Sequence, residues 1–477
     1  MKRIVFAIMT ILVISCTKAN NDIDIIDTPV KEYSVQEKTE LISSYAQMLA
    51  ASLHDPELRS KIKSEAQLKF DGDYDILISK FNNIKLSDKS MTVEHLLADT
   101  CIKTRSSEHG FDGSLEELID EIQRTFPNLQ VAVPVHCDDW DTDRYTPLVA
   151  YLPYDYIDQV TKEVEAFDLN GNTYTLSTKE EPDMPVIVVS ISERVDENGK
   201  LRSKSNNFKE MVYDFMEMGT KSLVTPTNLT IHYAGSCGFD LSWEDVSNEI
   251  GYEIYRRTSQ QDTYTKISQT GVNKNSFSDK NLTSGIRYFY KVRAITSSGY
   301  SAFSNIVYGY ASERTDSNPL NVTKMRFTSR AALRNVEDWV SGAPEIKLRV
   351  YSGTSSSTLL GETDVFEPPT RDDILTLIDK GENDWWNKNV NAVSTWYIGA
   401  MGYVLNFDWR EEDYNKTTTV EIFPQYYDPE SETLKNSSPK ITIEGDNGVD
   451  HIATMAVFFW DPSNKIHSAA GFEWMCN

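Results

Sequence analysis

Basic residues are in short supply in this sequence. Its 477 residues include 47 lysines and arginines against 72 aspartates and glutamates, which gives a formal net charge of −25. A protein that binds nucleic acid in general needs a basic surface for the phosphates, so the composition argues against a nucleic-acid partner. With 40% hydrophobic and 25% charged residues, the sequence is otherwise typical of folded proteins rather than disordered chains.

Long apolar runs are also missing. A membrane-spanning helix needs about 18 or more apolar residues, whereas the run from Ile4 to Ile14, which follows Lys2 and Arg3, has only 11 positions. This layout is that of an export signal. The run ends in Val13-Ile14-Ser15-Cys16, which resembles the lipobox of bacterial lipoproteins. The resemblance implies a signal peptide over residues 1–16 and a lipid-modified Cys16 as the mature N-terminus. A plain secretory signal that happens to contain a cysteine is the alternative.

A polar, acidic tether follows the predicted lipid site, over residues 17–31. We expect it to hold the folded part off the membrane. An acidic surface is repelled by anionic lipid headgroups, so membrane attachment should depend on the lipid at Cys16. Tethers of this kind resemble those of Bacteroidetes-type surface lipoproteins. That resemblance implies an outer-membrane lipoprotein of the cell envelope that is exposed at the cell surface.

Cysteine is scarce beyond Cys16. The other four, Cys101, Cys137, Cys237 and Cys476, are widely spaced, with no CxxC pair and no zinc-type framework. Cys101 and Cys137 fall in the same predicted domain. They either form a disulfide in an oxidising envelope or remain buried free thiols, and the sequence leaves both open.

Helix signals precede strand signals in the first predicted domain, residues 32–222. Ser34 with Glu37, and Ser114 with Glu117, have the spacing of capping boxes, and an aspartate followed by Pro56 predicts another helix start. From position 129 onward, apolar runs separated by Asn-Gly dipeptides indicate buried strands and hairpin turns. Helices followed by strands predict an α+β domain.

Short strands with turn signals between them fill the second predicted domain, residues 225–313. Its pattern is Leu-x-Trp243, then Gly-Tyr-x-Ile-Tyr255, then Leu282-x-x-Gly-x-x-Tyr288-x-Tyr-x-Val-x-Ala294. This order resembles a fibronectin type III module over nearly 90 residues. The resemblance implies a two-sheet sandwich, with Trp243 in the core and the Tyr288 hydroxyl bonded to backbone upstream. Such modules usually act as spacers.

The third predicted domain, residues 314–477, also reads mostly as strands, among them Glu345 to Tyr351, Trp396 to Trp409 and Ile452 to Trp460. A helix is expected after Thr370. The predicted fold class is therefore multidomain: an N-terminal α+β domain, a central fibronectin type III β-sandwich and a C-terminal mostly-β sandwich. Trp396, Trp460 and Trp474 lie in apolar runs and should pack the last core.

Catalytic motifs are absent. The seven histidines stand alone, and the sequence contains no HExxH, GxSxG, phosphate loop or GxGxxG. This lowers the expectation of an enzyme without excluding one, because the carboxylates of glycosidases leave little local signature. A carboxylate-dependent hydrolase is the least implausible enzyme.

Three acidic stretches invite a calcium reading. Asp71-Gly72-Asp73-Tyr74-Asp75 resembles the start of an EF-hand loop but lacks its later glycine and glutamate, and a polar turn opening a helix from Tyr74 to Phe81 is the favoured reading. Residues 138–143 hold four aspartates, which fit an exposed acidic loop better than a calcium site. Residues 342–348 and 406–413 resemble the two acidic loops of C2 domains. That resemblance makes calcium a possible cofactor, bound by Asp408, Glu411 and Asp413.

Tryptophans concentrate in the last domain. Trp385 and Trp386 lie in a polar stretch after Asp384, where their rings are placed to stack on a sugar while the carboxylate bonds hydroxyls. The alternative is a loop that packs one of the two tryptophan rings against the β-sandwich and has no ligand. We therefore predict a non-catalytic binding protein that recognises carbohydrate, with a structural or adhesive protein that binds a protein partner, or the hydrolase, as alternatives. Exposed aromatic rings would favour glycan binding, paired carboxylates in a cleft would favour hydrolysis, and a broad apolar patch would favour a protein partner.

Overall fold

The computed structural model describes residues 33–87, 91–104, 114–202, 225–315, 319–364, 369–381, 383–412, 419–444 and 449–477. The predicted signal peptide, Cys16 and the predicted tether lie outside these residues. Within the described ranges, no helix combines the length and the apolar character that crossing a bilayer requires.

The first domain is a layer of helices on a mixed sheet. Its helices are α1 (Val35–Ser52), α2 (Pro56–Ala66), α3 (Ile78–Phe81), α4 (Val93–Thr104) and α5 (Leu115–Thr125). Its strands are β1 (Asp75–Leu77), β2 (Leu129–Ala132), β3 (Val149–Tyr151), β4 (Glu163–Phe167), β5 (Thr173–Ser177) and β6 (Ile187–Ile191). They pair in the order β1-β2-β6-β3-β4-β5, with β3 and β6 parallel and the other pairs antiparallel.

The sequence signals for helix starts in this domain are confirmed. Ser34 and Ser114 each accept a hydrogen bond from the N–H group three residues later, within complete capping boxes, and Asp55 caps the helix that begins at Pro56. One face of the sheet packs against the helices through residues such as Tyr45. The favoured reading of residues 74–81 as one helix is wrong, because residues 75–77 pair as a strand with β2 before a single helical turn follows.

The second unit consists of two antiparallel sheets. Its strands are β7 (Thr230–Gly235), β8 (Gly238–Ser242), β9 (Glu249–Thr258), β10 (Thr265–Gln269), β11 (Ser276–Asp279), β12 (Arg287–Thr296), β13 (Gly299–Tyr300) and β14 (Val307–Tyr310). One sheet has the order β11-β8-β7, and the other β10-β9-β12-β13 with β14 also on β12. Trp243 is buried in the core between them. The Tyr288 hydroxyl accepts a hydrogen bond from the Thr283 N–H at 3.1 Å, so both expectations for these two residues are confirmed.

The third unit contains two packed four-stranded sheets with smaller additions. Its strands are β15 (Leu320–Phe327), β16 (Ile346–Ser352), β17 (Leu359–Asp364), β18 (Trp386–Val393), β19 (Val404–Glu412), β20 (Thr419–Ile422), β21 (Gln425–Asp428), β22 (Thr433–Asn436), β23 (Ile441–Glu444), β24 (Val449–Phe458), β25 (Ile466–Ala469) and β26 (Phe472–Cys476). Its helices are α6 (Arg330–Arg334), α7 (Arg371–Lys380), α8 (Ile398–Met401) and a 3-10 turn, Trp339–Ser341.

The sheets of this unit have the orders β18-β15-β26-β25 and β17-β16-β19-β24, and β20 pairs with β23 and β21 with β22. The two large sheets share one core, in which the rings of Trp409 and Trp474 lie 5.4 Å apart. The helix expected after Thr370 is present as α7. Trp396 and Trp474 are buried in this core as expected.

The prediction of one strand from Trp396 to Trp409 is wrong. Helix α8 and a turn interrupt it before β19 begins. The turn depends on Gly402, whose φ is +81° and whose α-carbon lies so close to Gly353 that a Cβ would fall 2.1 Å from its carbonyl oxygen. The apolar character of the stretch hides this backbone constraint from the sequence.

A segment of the third unit is built into the first domain. Trp339 has no exposed surface and packs with Val340 against the sheet face opposite the helices. The indole N–H of Trp339 donates to the Ser177 carbonyl at 2.8 Å. The buried carboxylate of Asp338 accepts from the Tyr156 hydroxyl at 3.0 Å and pairs with Lys179 at 2.6 Å. The first and third domains are therefore fixed to each other by a shared core.

The second unit also packs on the third. Trp460 stacks on Tyr310 with 4.5 Å between ring centroids, and the Ser284 hydroxyl donates to the Trp460 carbonyl at 3.0 Å. Trp460 thus lies at a domain contact rather than wholly inside the sandwich core, which corrects the expectation from its apolar run. The second unit is therefore packed against the third through this contact.

Three of the cysteines are free thiols in the described part of the chain. Cys137 is a buried free thiol, as is Cys476, and Cys237 is a half-buried free thiol. Burial raises the pKa of Cys137. Of the two alternatives for Cys137, the structure has the buried free thiol.

Candidate functional site

The predicted tryptophan pair lies at the start of strand β18 rather than in a polar loop. Trp386 is the first residue of that strand and pairs with Met325 of β15. Its ring is half-buried and lines a small cavity of about 20 Å³ together with Phe327, Phe472 and Ile374. The sequence missed the strand because its exposed positions are occupied by asparagine and lysine, which are uncommon in strands.

Trp385 lies beside an ion pair at the mouth of this cavity. The guanidinium carbon of Arg326 is 4.2 Å from the centroid of the Trp385 ring. Arg326 in turn donates to Glu473 at 2.8 Å and also lines the cavity. We call Trp385, Trp386, Arg326, Phe472 and Glu473 the aromatic edge.

Asp384 is half-buried and immediately precedes the aromatic edge. Its N–H donates to the Gly381 carbonyl at 3.1 Å, which closes the turn after helix α7. Asp384 and both tryptophans are consecutive in the sequence and lie where helix α7 gives way to strand β18. The sequence could not show that Arg326 and Glu473, which lie 58 or more residues away along the chain, would join this segment.

The three predicted calcium ligands are not gathered in one loop. Asp408 and Glu411 lie in strand β19, which contradicts the expected acidic loop over residues 406–413, and Asp413 lies outside the described residues. Asp408 is buried and bonded within its own sheet, by Arg410 and by the Thr454 hydroxyl at 2.9 Å. Glu411 lies elsewhere, near acidic residues of the first and third domains.

Those residues line a second small cavity, which is polar and has a volume of about 30 Å³, between the first and third domains. We call this the acidic cleft and define it by Asp71, Asp73, Asp75, Glu193, Arg194 and Glu345, all of which line it. The aspartates precede and open strand β1, Glu193 and Arg194 follow strand β6, and Glu345 immediately precedes β16. The cleft therefore needs both domains to exist.

Asp73 links the first domain to the third at one side of the acidic cleft. Its carboxylate accepts from its neighbour's N–H, that of Tyr74, at 2.8 Å and from the Ala343 N–H of the third domain at 2.9 Å. Gly342 makes this approach possible, because its φ is +100° and a Cβ there would fall 2.4 Å from the Asp73 carboxylate. The Asp-rich turn of the first domain is thus anchored to the turn before β16.

Arg194 is the cation that lines the cleft in the described part of the chain. It bonds Glu345 and donates to the Ala343 carbonyl at 3.0 Å, and it lies 4.0 Å from Asp71. Burial disfavours its charged form, but Glu345 and the three aspartates outweigh that effect and hold the pKa of Arg194 above its usual value. The guanidinium therefore stays charged and balances part of the acidic charge.

Burial changes the protonation of the carboxyl groups in the cleft. Burial raises the pKa of Asp75 well above its usual value, and Asp71 and Asp73 raise it further. Burial also raises the pKa of Asp71, against the opposing effect of Arg194. For Glu345 burial raises the pKa to about 7, again against Arg194. These shifts favour the protonated forms of Asp71, Asp75 and Glu345 and so lower the negative charge of the cleft.

One set of carboxylates in the described part of the chain has the spacing of metal ligands. Oxygens of Glu193, Glu345 and Glu411 all lie within 4.8 Å of one another. Sequence reasoning singled out Asp71 to Asp75, Glu345 and Glu411 in separate stretches but assigned them to different loops. Glu193 was missed, since nothing in its local sequence distinguishes it from a surface glutamate.

The stretch of four aspartates at 138–143 forms a structured turn. Asp138 accepts hydrogen bonds from the Tyr74 hydroxyl at 2.5 Å and the Gln67 amide at 2.9 Å. The bond from Tyr74 is the main reason that the pKa of Asp138 is lowered. Asp139 and Asp143 are exposed, as expected for an acidic surface loop.

Two family models match parts of the chain. Residues 49–233 match a family described as "Protein of unknown function (DUF3103)", and residues 224–310 match the fibronectin type III domain. The second match agrees with the two-sheet unit and with its Trp243 core. The chain therefore contains a fibronectin type III domain.

Similar curated proteins are amylopullulanases. That of Thermoanaerobacterium saccharolyticum is 22% identical over 266 residues, which cover 50% of this chain and 19% of the relative. That of Thermoanaerobacter thermohydrosulfuricus is 37% identical over 78 residues, which cover 16% of this chain and 5% of the relative. The chain thus spans a fifth or less of the length of these relatives.

Similar solved structures cover about a fifth of the chain. A human collagen XX fibronectin type III domain is 21% identical and matches 20% of this chain and 100% of its own, with a TM-score of 0.17. A Fn3-like protein from Clostridium thermocellum is also 21% identical and matches 18% of this chain and 92% of its own, with a TM-score of 0.17.

Proposed function

We propose that this chain is a lipid-anchored surface protein that binds carbohydrate without chemical conversion, and that the sugar lies on the aromatic edge. The observation that carries this proposal is the apolar depression that Trp386 and Phe472 line beside the Arg326–Glu473 ion pair. A concave site with aromatic walls and a few polar groups has the usual composition of a small-ligand pocket.

The chemistry of the aromatic edge suits a sugar ring. The C–H faces of a sugar pack on aromatic walls such as Trp386, whereas its hydroxyls need donors and acceptors at the rim. Arg326 supplies donors, and Glu473 and Asp384 supply acceptors. Arg326 and Glu473 are bonded to each other, so their side chains are already ordered and lose little conformational freedom when a ligand binds.

The comparisons support the same class of ligand. Amylopullulanases are carbohydrate-active enzymes, and this chain is similar to a part of them that covers at most 19% of their length. A shared segment that is so small a part of these enzymes fits a binding role better than a complete catalytic unit. The fibronectin type III domain fits the role of a spacer that carries a binding unit.

A binding experiment tests the aromatic edge. The purified chain should retain polysaccharides in a glycan screen, and Trp385→Ala/Trp386→Ala should weaken binding at least about tenfold, since a tenfold change corresponds to about 1.4 kcal/mol of lost contact. A matched control, Tyr174→Ala/Tyr300→Ala, removes two exposed rings on other domains and should bind like the unmodified chain. Thermal unfolding of both variants checks that each is folded.

Other results point to the alternatives. Failure to bind any polysaccharide would reject the carbohydrate proposal and leave a protein partner as the reading. Release of reducing sugar from a bound polysaccharide would make the chain a hydrolase instead. Loss of binding in the control pair as well would move the site away from the aromatic edge.

The proposed anchor has its own test. The acidic surface gives no electrostatic attraction to anionic lipids, so the proposal needs a covalent lipid at Cys16. Labelling with radioactive palmitate should mark the chain in a bacterial host, and Cys16→Ser should abolish the label and release the chain from the membrane fraction. A labelled Cys16→Ser variant would contradict the proposed position.

A further inference from the structure

We propose that the outward face of the larger fibronectin type III sheet binds a polysaccharide of uronic acids through Arg257 and Lys291. The face lies on a different domain from the aromatic edge, and the proposal does not depend on a sugar bound at that edge. We call it the basic face and define it by two cations and four aromatic rings: Arg257, Lys291, Tyr264, Phe289, Phe303 and Tyr308.

The basic face arises from alternation along two paired strands. In β12, Tyr288, Tyr290 and Val292 are buried in the core between the sheets, so the residues between them lie on the opposite face. The outward residues of β12 are Arg287, Phe289, Lys291 and Arg293, and those paired with them on β9 are Glu253, Tyr255 and Arg257. Four of these seven side chains are cations and one is a carboxylate. This surface is therefore positive, although the whole chain has a net charge of −25.

Glu253 shows how this surface holds a carboxylate. Its side chain is 5% exposed and accepts hydrogen bonds from Lys266 at 2.6 Å, from Arg293 at 2.8 Å and from the Tyr255 hydroxyl at 2.9 Å. Burial by itself would raise the pKa of Glu253, but these three bonds outweigh burial and lower the pKa to about 2. A carboxylate between cations is thus stable on this sheet.

Arg257 and Lys291 have no such carboxylate. In the described part of the chain, Arg257 donates to backbone carbonyl oxygens, and Lys291 forms no ion pair. Both cations lie over rings instead. The guanidinium carbon of Arg257 is 3.8 Å from the Phe289 centroid, and the Lys291 nitrogen is 3.9 Å from the Phe303 centroid and 4.3 Å from that of Tyr264. A ring attracts a cation without neutralising it, so both charges are available to an anionic ligand.

The environment of Lys291 favours the binding of an anion. Burial lowers the pKa of Lys291, and the neighbouring charge of Arg293 lowers it further. Both effects disfavour the charged ammonium group, whereas a ligand carboxylate beside it would favour that form. Because the rings already order Arg257 and Lys291, an anion that binds them restricts little additional conformational freedom.

The mixture of rings and cations selects a uronic acid chain. Strand β12 is hydrogen-bonded to β9 on one side and to β14 on the other, so a peptide cannot add to this surface as a further strand. Phe303 is 36% exposed and Tyr308 is 40% exposed, and such rings pack on the C–H faces of sugars. Each uronic acid unit offers an apolar ring face and a carboxylate, which matches both features of the surface.

Binding of polygalacturonate, a polymer of one uronic acid, tests the proposal. Titration calorimetry with the purified full chain should show binding that weakens as sodium chloride is added. Arg257→Gln/Lys291→Gln should lower the affinity at least tenfold, because it removes both proposed contacts to carboxylates. The control Arg144→Gln/Lys440→Gln makes the same change in net charge at exposed residues of the other two domains and should bind like the unmodified chain.

Further measurements separate the site from the aromatic edge and identify the ligand. Trp385→Ala/Trp386→Ala should keep its affinity for polygalacturonate, and a tenfold loss there would overturn the assignment to the basic face. Polyglutamate and anionic phospholipid vesicles are tested in parallel, and equal or tighter binding of either one would overturn uronic acid as the ligand.

A second variant keeps the charges and tests the rings. Phe303→Leu should weaken polygalacturonate binding several-fold, and it serves as the basic-face variant if Arg257→Gln/Lys291→Gln does not fold, which thermal unfolding checks. The absence of polygalacturonate binding by the unmodified chain, or unchanged affinity in both basic-face variants, would overturn the proposal.

Discussion

At the residue scale, the roles that the sequence predicted well are those fixed by a local pattern. Trp243 and Tyr288 follow from the spacing of apolar and aromatic residues within one module, and the structure places both as expected. The partners of Trp385 could not be predicted in this way. Arg326 and Glu473 lie in β15 and β26, and only the pairing of those strands brings them to the tryptophans.

His467 illustrates a residue whose environment has a measurable consequence. It is 3% exposed and stacks on Trp474, with 5.6 Å between ring centroids. Burial lowers the pKa of His467 to about 4, and Lys465 and Arg314 act in the same direction, whereas Asp461 opposes them. The folded protein therefore keeps this imidazole neutral under conditions in which an unfolded chain would protonate it.

This pKa shift predicts a loss of stability in mild acid. The unfolded chain binds a proton at His467 near pH 6.5 and the folded chain only near pH 4, so the stabilisation is complete above pH 6.5 and is lost as the pH falls toward 4. The loss should be about 2–3 kcal/mol across that window. Urea unfolding between pH 4 and pH 7 measures it. His467→Gln should flatten the curve, the exposed His232→Gln should not, and equal slopes in all three proteins would contradict the prediction.

At the element scale, helix starts were predictable and strand ends were not. The capping boxes at Ser34, Ser114 and Thr370 are local signals, and each one opens a helix in the structure. The strand from Trp396 to Trp409 was wrong because an apolar run does not show where the backbone must turn. Strand β18 was missed because its polar residues face outward at the edge of its sheet.

The N-cap of helix α7 allows the contribution of one capping box to the free energy of unfolding to be measured. The Thr370 hydroxyl accepts from the Asp373 N–H, and the Asp373 carboxylate bonds back to the Thr370 N–H at 3.1 Å. Thr370→Ala should lower the free energy of unfolding by about 1 kcal/mol, up to about 2 because the residue is buried. Chemical denaturation measures the change. Thr376→Ala, at an exposed position in the same helix, should be neutral or slightly stabilising, and an equal loss in both variants would reject the capping explanation.

At the scale of the whole molecule, the central fibronectin type III domain was predictable from the sequence, but the contacts between domains were not. The sequence analysis divides the chain into an anchor, a first domain, a spacer and a binding domain. This division suggests separate domains without contacts between the first and the third. Instead the Asp73 carboxylate bonds the Ala343 N–H, 270 positions along the chain. Contacts of this range are invisible to local patterns, and the acidic cleft depends on them entirely.

Trp339 should be the residue on which this coupling depends most. It is fully buried in the first domain although it belongs to the third. Trp339→Ala should cost about 3–5 kcal/mol and separate the unfolding of the two domains. Scanning calorimetry should show one shared transition for these domains in the unmodified chain and two in the variant. Trp396→Ala, in the third core, should lower stability without adding a transition, and a single transition in Trp339→Ala would contradict the coupling.

The insertion of Trp339 has a further consequence for how the protein can be divided. The third domain supplies the Trp339 side chain to the core of the first domain, so the core of the first domain is incomplete without the third. A chain supplied as two polypeptides, residues 1–224 and 225–477, should therefore reassemble by fragment complementation, with the indole of one piece seated beside the Ser177 carbonyl of the other. Association of the two fragments could then be detected in the same way as that of the halves of a split reporter protein.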